Sequence, residues 1–523
     1  MKRILLLLAV FNFQFSIFTL QAQNIIPKPQ KMMNCEGSVS VKKLSRVTVV
    51  KDASMADEAY RLDITKKGVR ITCATDKGEF YARQTLLQLQ EGCRGQIPCC
   101  HIEDQPQYGY RGFMLDVSRH FFTVEELKKM IDLMARYKMN VFHWHLTDDH
   151  GWRAEIRKWP RLTSVGSVRS DNWQTDFHLD VEHSTADQKY YTGKGIYTGR
   201  QYGPYFYTQD EMRDIVKYCA DRHIEVLPEV DMPGHFKAAM AAYPEFSCTP
   251  NEKHEVWTAQ WGVNDDVLNV GNQMAIEFAE DIIDELCDIF PYPYFHIGGD
   301  ECPSSAWEKN AECQAKMQRL GLKHVRALQS DFILEIAKHL KAKGKRVICW
   351  NESVCAEGAD LDRIKEADPR IYCWVGSKAA AKKAIGLGLD VVLSEIHAAD
   401  GSYYINRRPS DEDGEPEGAA KGDDTVEKTY TFNPLPEGLT ADQIHSKVDG
   451  VQATFWTEWV GSNEHLEYLA IPKIICVAEA GWTAPQEKNW QCFRKRLTEQ
   501  ARWLDEHGYI YSRHWMENYK PRK

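Results

Sequence analysis

A (β/α)8 barrel preceded by a small α/β unit is the architecture this sequence predicts, and three observations predict it. From Tyr110 onward, eight short apolar runs alternate with stretches of helical periodicity. No glycine-rich phosphate turn follows the first run, as an open nucleotide-binding sheet would need, and eight is the strand number at which a parallel sheet closes. A chain of 523 residues is too long for one ordinary domain and long enough for a barrel-sized core plus an accessory unit.

The first 22 residues read as an export signal. Lys2-Arg3 precedes the mostly apolar Ile4 to Leu20, and Leu20-Gln21-Ala22 supplies a small-residue cleavage site. Asn12 and Gln14 interrupt the run, which argues against a membrane anchor. The first cysteine, Cys35, lies too far on for lipid attachment. A periplasmic or secreted protein is expected. Removal of this segment takes away two cations and moves the formal charge from -10 to -12, an acidic balance that argues against nucleic acid as a partner. Fifteen cysteines make an odd number with no C-x-x-C pair, and Cys349 and Cys373 lie inside apolar strands, so few or no structural disulfides are expected.

Residues 23–105 form the small unit. Tyr60 to Thr65, the turn Lys66-Lys67-Gly68, and Val69 to Ala74 alternate as a β-hairpin, and Phe80, Leu86, Leu87 and Leu89 follow with helical spacing. Residues 106–523 form the barrel. Its first strand is Arg111 to Asp116; a capping box from Thr123 to Glu126 then opens a helix with Leu127, Met130, Ile131 and Met134 on one face. Strand two is Met139 to Leu146. A second box, Thr208 to Glu211, opens the helix before strand three, Ile224 to Val230. The helix Ala275 to Ile289 leads to strand four, Tyr294 to Gly298, and the helix Val325 to Leu340 leads to strand five, Arg346 to Trp350. Ile371 to Trp374, Val391 to Ser394 and Val451 to Phe455 complete the eight, and an amphipathic helix around Phe493 to Leu504 ends the fold. The surplus length falls in Trp159 to Gly203 and in Gly401 to Gly450, the latter with the acidic run Asp411 to Glu417. Both segments follow strands, on the face where barrel enzymes place substrate loops.

The C-terminal strand ends carry Asp116 and Arg119, Asp148 and Asp149, Asp231 and His235, Asp300 and Glu301, Trp350, Trp374, Tyr403 and Tyr404, and Trp456 and Glu458. Solvated loops would be richer in Lys, Ser and Asn. Carboxylates beside tryptophan walls suit a sugar, whose C–H faces pack on rings while its hydroxyls bond acids and Arg. Asp300 and Glu301 are adjacent in the chain, so they leave one strand end side by side. That makes the usual facing pair of glycosidase carboxylates awkward, and favours one general acid with the other serving a different part of the substrate.

Five segments, Arg111 to His120, His143 to Asp149, Pro228 to His235, His296 to Glu301 and Trp456 to Glu458, resemble the signature set of family 20 glycoside hydrolases, the β-N-acetylhexosaminidases. The resemblance runs from about Val69 to Trp482. It implies substrate-assisted retention, in which the 2-acetamido oxygen of an oligosaccharide or glycoconjugate substrate attacks the anomeric carbon and no cofactor is needed. By position, Glu301 would be the general acid and then base, and Asp300 would orient the acetamide. Tyr404 would bond the acetamide oxygen, and Trp350, Trp374 and Trp456 would wall its pocket. Arg119 and Glu458 would hold ring hydroxyls, and Asp148 and His235 would support Glu301. Glu301 is expected to have a raised pKa, partly through Asp300.

One departure stands out from the resemblance. Tyr404-Ile405-Asn406 replaces the Tyr-x-Asp of many relatives, with Arg407 and Arg408 following. A neutral Asn406 beside Arg407 would tolerate an anionic group where Asp would repel it, so acceptance of 6-sulfated N-acetylglucosamine is expected; the plainer reading has Asn406 bonding an unmodified hydroxyl. Two other functions compete. His143-x-His145 with Asp148, His150 and His235 could serve a metal-dependent hydrolase, though strand packing explains these histidines equally well and spacing supplies no fourth ligand. A non-catalytic sugar-binding barrel would not need the acids Asp300, Glu301 and Glu458 together with Tyr404.

Overall fold

The computed structural model describes residues 24–41, 47–93, 95–170, 201–256, 263–396, 400–410, 424–517 and 519. The expected export signal and the acidic run Asp411 to Glu417 lie outside the described residues. Among the described residues, no helix is long and apolar enough to cross a membrane.

The small unit is a five-stranded sheet of β1 (Lys31–Ser40), β2 (Val47–Lys51), β3 (Tyr60–Thr65), β4 (Gly68–Cys73) and β5 (Gln96–Asp104), with α1 (Asp76–Gly92) between β4 and β5. The strand order is β1-β5-β3-β4-β2. The predicted hairpin is β3–β4, paired from Tyr60 opposite Cys73 to Thr65 opposite Gly68. The helical spacing of Phe80 to Leu89 falls in α1, and sequence periodicity missed the other three strands. β1 is an edge strand whose residues are mostly exposed, so it has no apolar alternation to read, and β5 carries Pro98 and the paired Cys99-Cys100. Thr75 caps α1 by accepting the Gly78 N–H, and the helix buries Tyr81, Ala82, Leu86 and Leu89 against the sheet.

The barrel strands are β6 (Tyr110–Asp116), β7 (Val141–His145), β8 (Glu225–Glu229), β9 (Tyr294–His296), β10 (Arg346–Trp350), β11 (Arg370–Cys373), β12 (Val391–Leu393) and β13 (Val448–Phe455). They close in the order β6-β7-β8-β9-β10-β11-β12-β13, and β13 pairs back onto β6 with Gly450 opposite Tyr110. All eight predicted strands are present, with ends shifted by up to three residues. Helices α2 (Val124–Arg136), α3 (Gln209–Ala220), α4 (Gln273–Cys287), α5 (Ala327–Ala342), α6 (Ser377–Gly386) and α7 (Lys473–Trp482) cover the outside, and α8 (Trp490–Glu506) closes the chain. Both predicted N-caps form: Thr123 accepts from Glu126, and Thr208 with Glu211 makes the full reciprocal box. Each such cap is worth about 1 kcal/mol.

Alternation along the strands divides the core. Outward residues such as Phe113, Leu115, Phe142 and Trp144 pack under the helices, while Tyr110, Met114, Leu227, Ile348, Trp350 and Tyr372 point into the barrel. His143, His145, Glu229, His296 and Gln452 are buried polar groups of the same strands. The barrel interior therefore mixes apolar and polar side chains, with Met114 and Leu227 in register with His143 and Ile348 with His296.

Candidate active site

The loop after β9 carries Asp300 and Glu301, and Asp231 shapes it. Asp231 Oδ1 accepts the Gly299 N–H at 3.0 Å, and a Cβ on Gly298 would stand 2.0 Å from the same oxygen. Glycine is required there. The chain then places Glu301 at φ +41°, and His235 across from it has φ +46°. Non-glycine residues held in this left-handed region store about 1–3 kcal/mol of strain each, which the surrounding packing must offset.

Four aromatic rings form a closed circuit beside the acids. Ring centroids are 6.3 Å apart for Trp350 and Trp374, 6.2 Å for Trp374 and Tyr404, 6.4 Å for Tyr404 and Trp456, and 6.1 Å for Trp456 and Trp350. A circuit of this size keeps every ring within roughly 4–4.5 Å of a methyl-sized group at its centre. The indole N–H of Trp350 donates to Glu229 Oε1 at 2.8 Å, and that of Trp374 to Glu352 Oε2 at 2.8 Å.

Around this circuit lie polar atoms that the protein leaves unused. Asp300 Oδ1, the Tyr404 hydroxyl, Asn406 Oδ1 and Glu458 Oε2 are buried without a hydrogen-bond partner among the described residues. Since most buried polar groups in folded proteins are paired, four such atoms in one place mark a surface built for another molecule.

A chain of charges runs beneath. His235 Nε2 lies 3.5 Å from Glu301 Oε2, and its Nδ1 faces Asp149 Oδ2 at 3.1 Å and Asp148 Oδ1 at 3.4 Å. Asp149 is thus the nearer partner of His235, where the resemblance points to Asp148. Asp148 Oδ2 takes Arg119 at 2.7 Å and His145 Nε2 at 3.1 Å; Arg119 also reaches Asp116 at 3.1 Å and stacks 5.1 Å from the Trp456 ring. His145 Nδ1 meets Glu229 Oε2 at 2.6 Å. The loop base helps: Arg169 donates to the Arg119 carbonyl at 2.5 Å.

These contacts fix the protonation states. Burial disfavours a charged His235, yet Asp148, Asp149 and Glu301 hold it well above the ordinary histidine value, so it is an imidazolium. Its hydrogen bond to Glu301 in turn lowers the Glu301 carboxyl below its ordinary value. This corrects the expectation of a raised pKa: the His235 cation at 3.5 Å, with Arg119 behind it, outweighs burial and Asp148, which both push the Glu301 carboxyl up. Burial pushes Asp300 up to about 6, and burial together with Asp300 takes Asp231 well above the carboxylate range. Of the two aspartates it is Asp231 whose carboxyl is held furthest up, so a proton shared by the pair stays on Asp231 and Asp300 is the one that ionises.

Asn406 is fully buried and donates to the Trp456 carbonyl at 3.2 Å. Arg407 turns to Asp424, at 2.8 Å, so its charge is engaged by a carboxylate. Arg119, Asp148, His235, Asp300, Glu301, Trp350, Trp374, Tyr404, Trp456 and Glu458 do converge. Reading strand ends alone missed Glu229 and Glu352. Glu229 is an inward position inside β8, legible only by alternation, and Glu352 lies beyond β10 with no pattern to announce it.

The histidines do not favour a metal centre. His143, Glu229 and His296 approach closely, but the two rings pack against each other at 4.7 Å, His296 Nδ1 accepts the Gly298 N–H, and Glu229 is already bonded to His145 and to the Trp350 indole.

Residues 108–485 match the family model for the glycosyl hydrolase family 20 catalytic domain, and residues 42–105 match that for family 20 domain 2. A beta-hexosaminidase of Porphyromonas gingivalis is 40% identical over 467 residues, covering 87% of this chain and 55% of its own. A beta-hexosaminidase of Vibrio furnissii is 32% identical, covering 82% and 66%. The chain thus spans less than two thirds of either relative. Among solved structures, an exo β-N-acetylglucosaminidase from Vibrio harveyi in complex with N-acetylglucosamine superposes with a TM-score of 0.80 at 30% identity, covering 95% of this chain and 79% of that one.

Proposed function

This chain belongs to glycosyl hydrolase family 20, and we propose that it is an exported, exo-acting β-N-acetylhexosaminidase that removes terminal N-acetylhexosamine from glycans by substrate-assisted retention. The observation that carries the reading is the pairing of unused atoms around the aromatic circuit. An acetamide presents an N–H, a carbonyl oxygen and a methyl. Asp300 Oδ1 is a buried acceptor for the first, the Tyr404 hydroxyl a buried donor for the second, and the circuit of four rings a slot for the third. Held in this way, the acetamide oxygen is turned toward the anomeric carbon and attacks it as the glycosidic bond breaks. Asp300, ionised through the proton that Asp231 keeps, stabilises the positive charge that grows on the amide nitrogen.

Glu301 gives its proton to the departing oxygen and then takes one from the water that opens the intermediate. In the free site it is ionised, because His235 holds it so. A sugar and its leaving group lying over the exposed carboxyl strip water from it and raise its pKa, so the acid form is generated on binding. Arg119 and Glu458 serve the ring hydroxyls; burial pushes Glu458 up to about 7, and the Arg119 charge opposes that rise. Export rests on the leader-like first 22 residues.

A second reading concerns the 6-position. The neutral Asn406 carries no charge to repel a 6-sulfate, but its unpaired atom is the acceptor Oδ1, which a sulfate cannot satisfy, and Arg407 is engaged by Asp424. Acceptance then rests on lack of repulsion and not on ion pairing.

The test is a series of aryl β-N-acylglucosaminides in which hydrogen on the acetyl methyl is replaced stepwise by fluorine. Each fluorine weakens the acyl oxygen as a nucleophile, so turnover should fall steeply along the series. Equal turnover across the series would mean that a protein group attacks, and would remove the mechanism.

A further inference from the structure

Two walls of the aromatic circuit come from neighbouring strand ends, and one short segment holds both. Trp350 ends β10, and the next two residues reach across to the end of β11. Asn351 Oδ1 accepts the Trp374 backbone N–H at 2.8 Å, its amide donates to the Val375 carbonyl at 3.2 Å, and Glu352 Oε2 accepts the Trp374 indole N–H at 2.8 Å. Behind them, Ser353 Oγ donates to the Trp350 carbonyl at 2.8 Å. The Trp374 backbone and indole are thus pinned from a single dipeptide. The result is a ring lying parallel to Tyr404, within 7° at 6.2 Å between centroids, while the other three sides of the circuit meet at 46° to 66°.

We propose that Glu352 is a positioning residue that sets acyl specificity: by anchoring the Trp374 indole, it fixes the spacing between Trp374 and Tyr404 and hence the size of the N-acyl group the pocket admits. The inference rests on the acetamide reading of the circuit. An indole with no anchor can rotate about its side-chain torsions, and a rotation of some tens of degrees opens a slot of this width by about a methylene. Charge is consistent with the task. Burial, with the facing carboxylates of Asp300 and Glu301, pushes Glu352 up to about 8, so at neutral pH it accepts the indole without adding a full third negative charge beside the acids. Tyr404, Cys373 and Cys355 are the other titratable groups it acts on, and Lys383 faces Cys355.

The experiment compares the wild-type chain, Glu352→Gln and Glu352→Ala on aryl β-glycosides of N-acetyl-, N-propionyl- and N-butyrylglucosamine at pH 6.5. The wild type should prefer N-acetyl. Glu352→Ala should lower kcat/KM on N-acetyl by about ten- to a hundredfold through a looser, mispositioned acetamide, and should raise the butyryl-to-acetyl ratio by about tenfold, the worth of roughly one or two methylenes in a pocket. Glu352→Gln keeps an oxygen for the indole N–H and should keep the wild-type ratio. Partial unfolding depresses all three substrates alike and leaves the ratio where it was, so the ratio reports positioning alone. An unchanged ratio in Glu352→Ala, or a Gln variant no better than the Ala variant, overturns the inference while leaving the acetamide reading intact. A wild type that cleaves none of the three overturns that reading and the inference with it.

Discussion

Two buried charge clusters, one at the seam between the small domain and the barrel and one at the top of the barrel, are built from the same residue types and end in opposite states. At the seam, Asp104 accepts the Gln30 N–H and the Trp482 indole on one oxygen, at 3.1 and 2.9 Å, and the Tyr60 hydroxyl and Lys138 Nζ on the other, at 2.5 and 3.1 Å. Arg111 beside it spends its guanidinium on the Lys138 and Tyr108 carbonyls, the Glu58 carboxylate and the Tyr81 hydroxyl. At the barrel top, Asp300, Tyr404, Asn406 and Glu458 each keep a buried polar atom without a partner among the described residues. Buried ionic groups are costly in either place, so what separates them is closure. The seam satisfies itself and holds domains together. The top is completed only by a ligand that brings the missing donors and acceptors.

The contrast predicts that the two clusters fail differently when broken. Removing the acid at the top should destroy chemistry and cost little stability: Glu301→Gln should lower turnover on an unactivated disaccharide by about two to four orders of magnitude, as for a lost general acid, with only the small drop in thermal midpoint that loss of the His235 contact brings. Near-normal turnover there would take the general-acid role away from Glu301. Breaking the seam should do the reverse. Lys138 is fully buried with its ammonium against Asp104, and Lys138→Met leaves that buried carboxylate without its cation. Stability should fall by about 3–5 kcal/mol, read by denaturant melts, while kcat/KM at 25 °C on an aryl N-acetylglucosaminide stays within about twofold. A large loss of kcat/KM with little loss of stability would show that the seam is wired to the site.

The same division explains what the sequence disclosed. The barrel was legible because its strands are buried on both faces and its helices carry strong one-sided apolar stripes, as in α2 with Leu127, Met130, Ile131 and Met134. The edge strand β1, exposed for most of its length, offered no such pattern. Residues at strand ends were legible too, since Asp300, Trp350 and Trp456 each follow an apolar run. What stayed hidden was mutual geometry. The lowered pKa of Glu301 depends on His235, 66 residues earlier, arriving within 3.5 Å through a left-handed turn, and spacing does not encode that approach. Arg407 looked available beside Asn406 because Asp424, the residue that engages it, lies across a long insertion.

Asn406 sharpens the comparison most finely, because it belongs to the open cluster by one atom only. Its amide nitrogen is committed to the Trp456 carbonyl, and its Oδ1 is unpaired. Asn406→Asp keeps the shape and the acceptor but adds a charge in a site with little water, at the cost of the amide donor to Trp456. If the 6-position of the sugar lies against this atom, a 6-sulfate will be repelled by the new carboxylate while an unmodified 6-hydroxyl will donate to it. The ratio of kcat/KM for 6-sulfated over plain aryl N-acetylglucosaminide should then fall by about tenfold, equivalent to roughly 1.4 kcal/mol, a modest value for two like charges near a protein surface. The plain substrate should change by less. Should the ratio stay fixed, Asn406 does not face the 6-position, and its unpaired oxygen belongs with the packing of Trp456 and not with substrate choice.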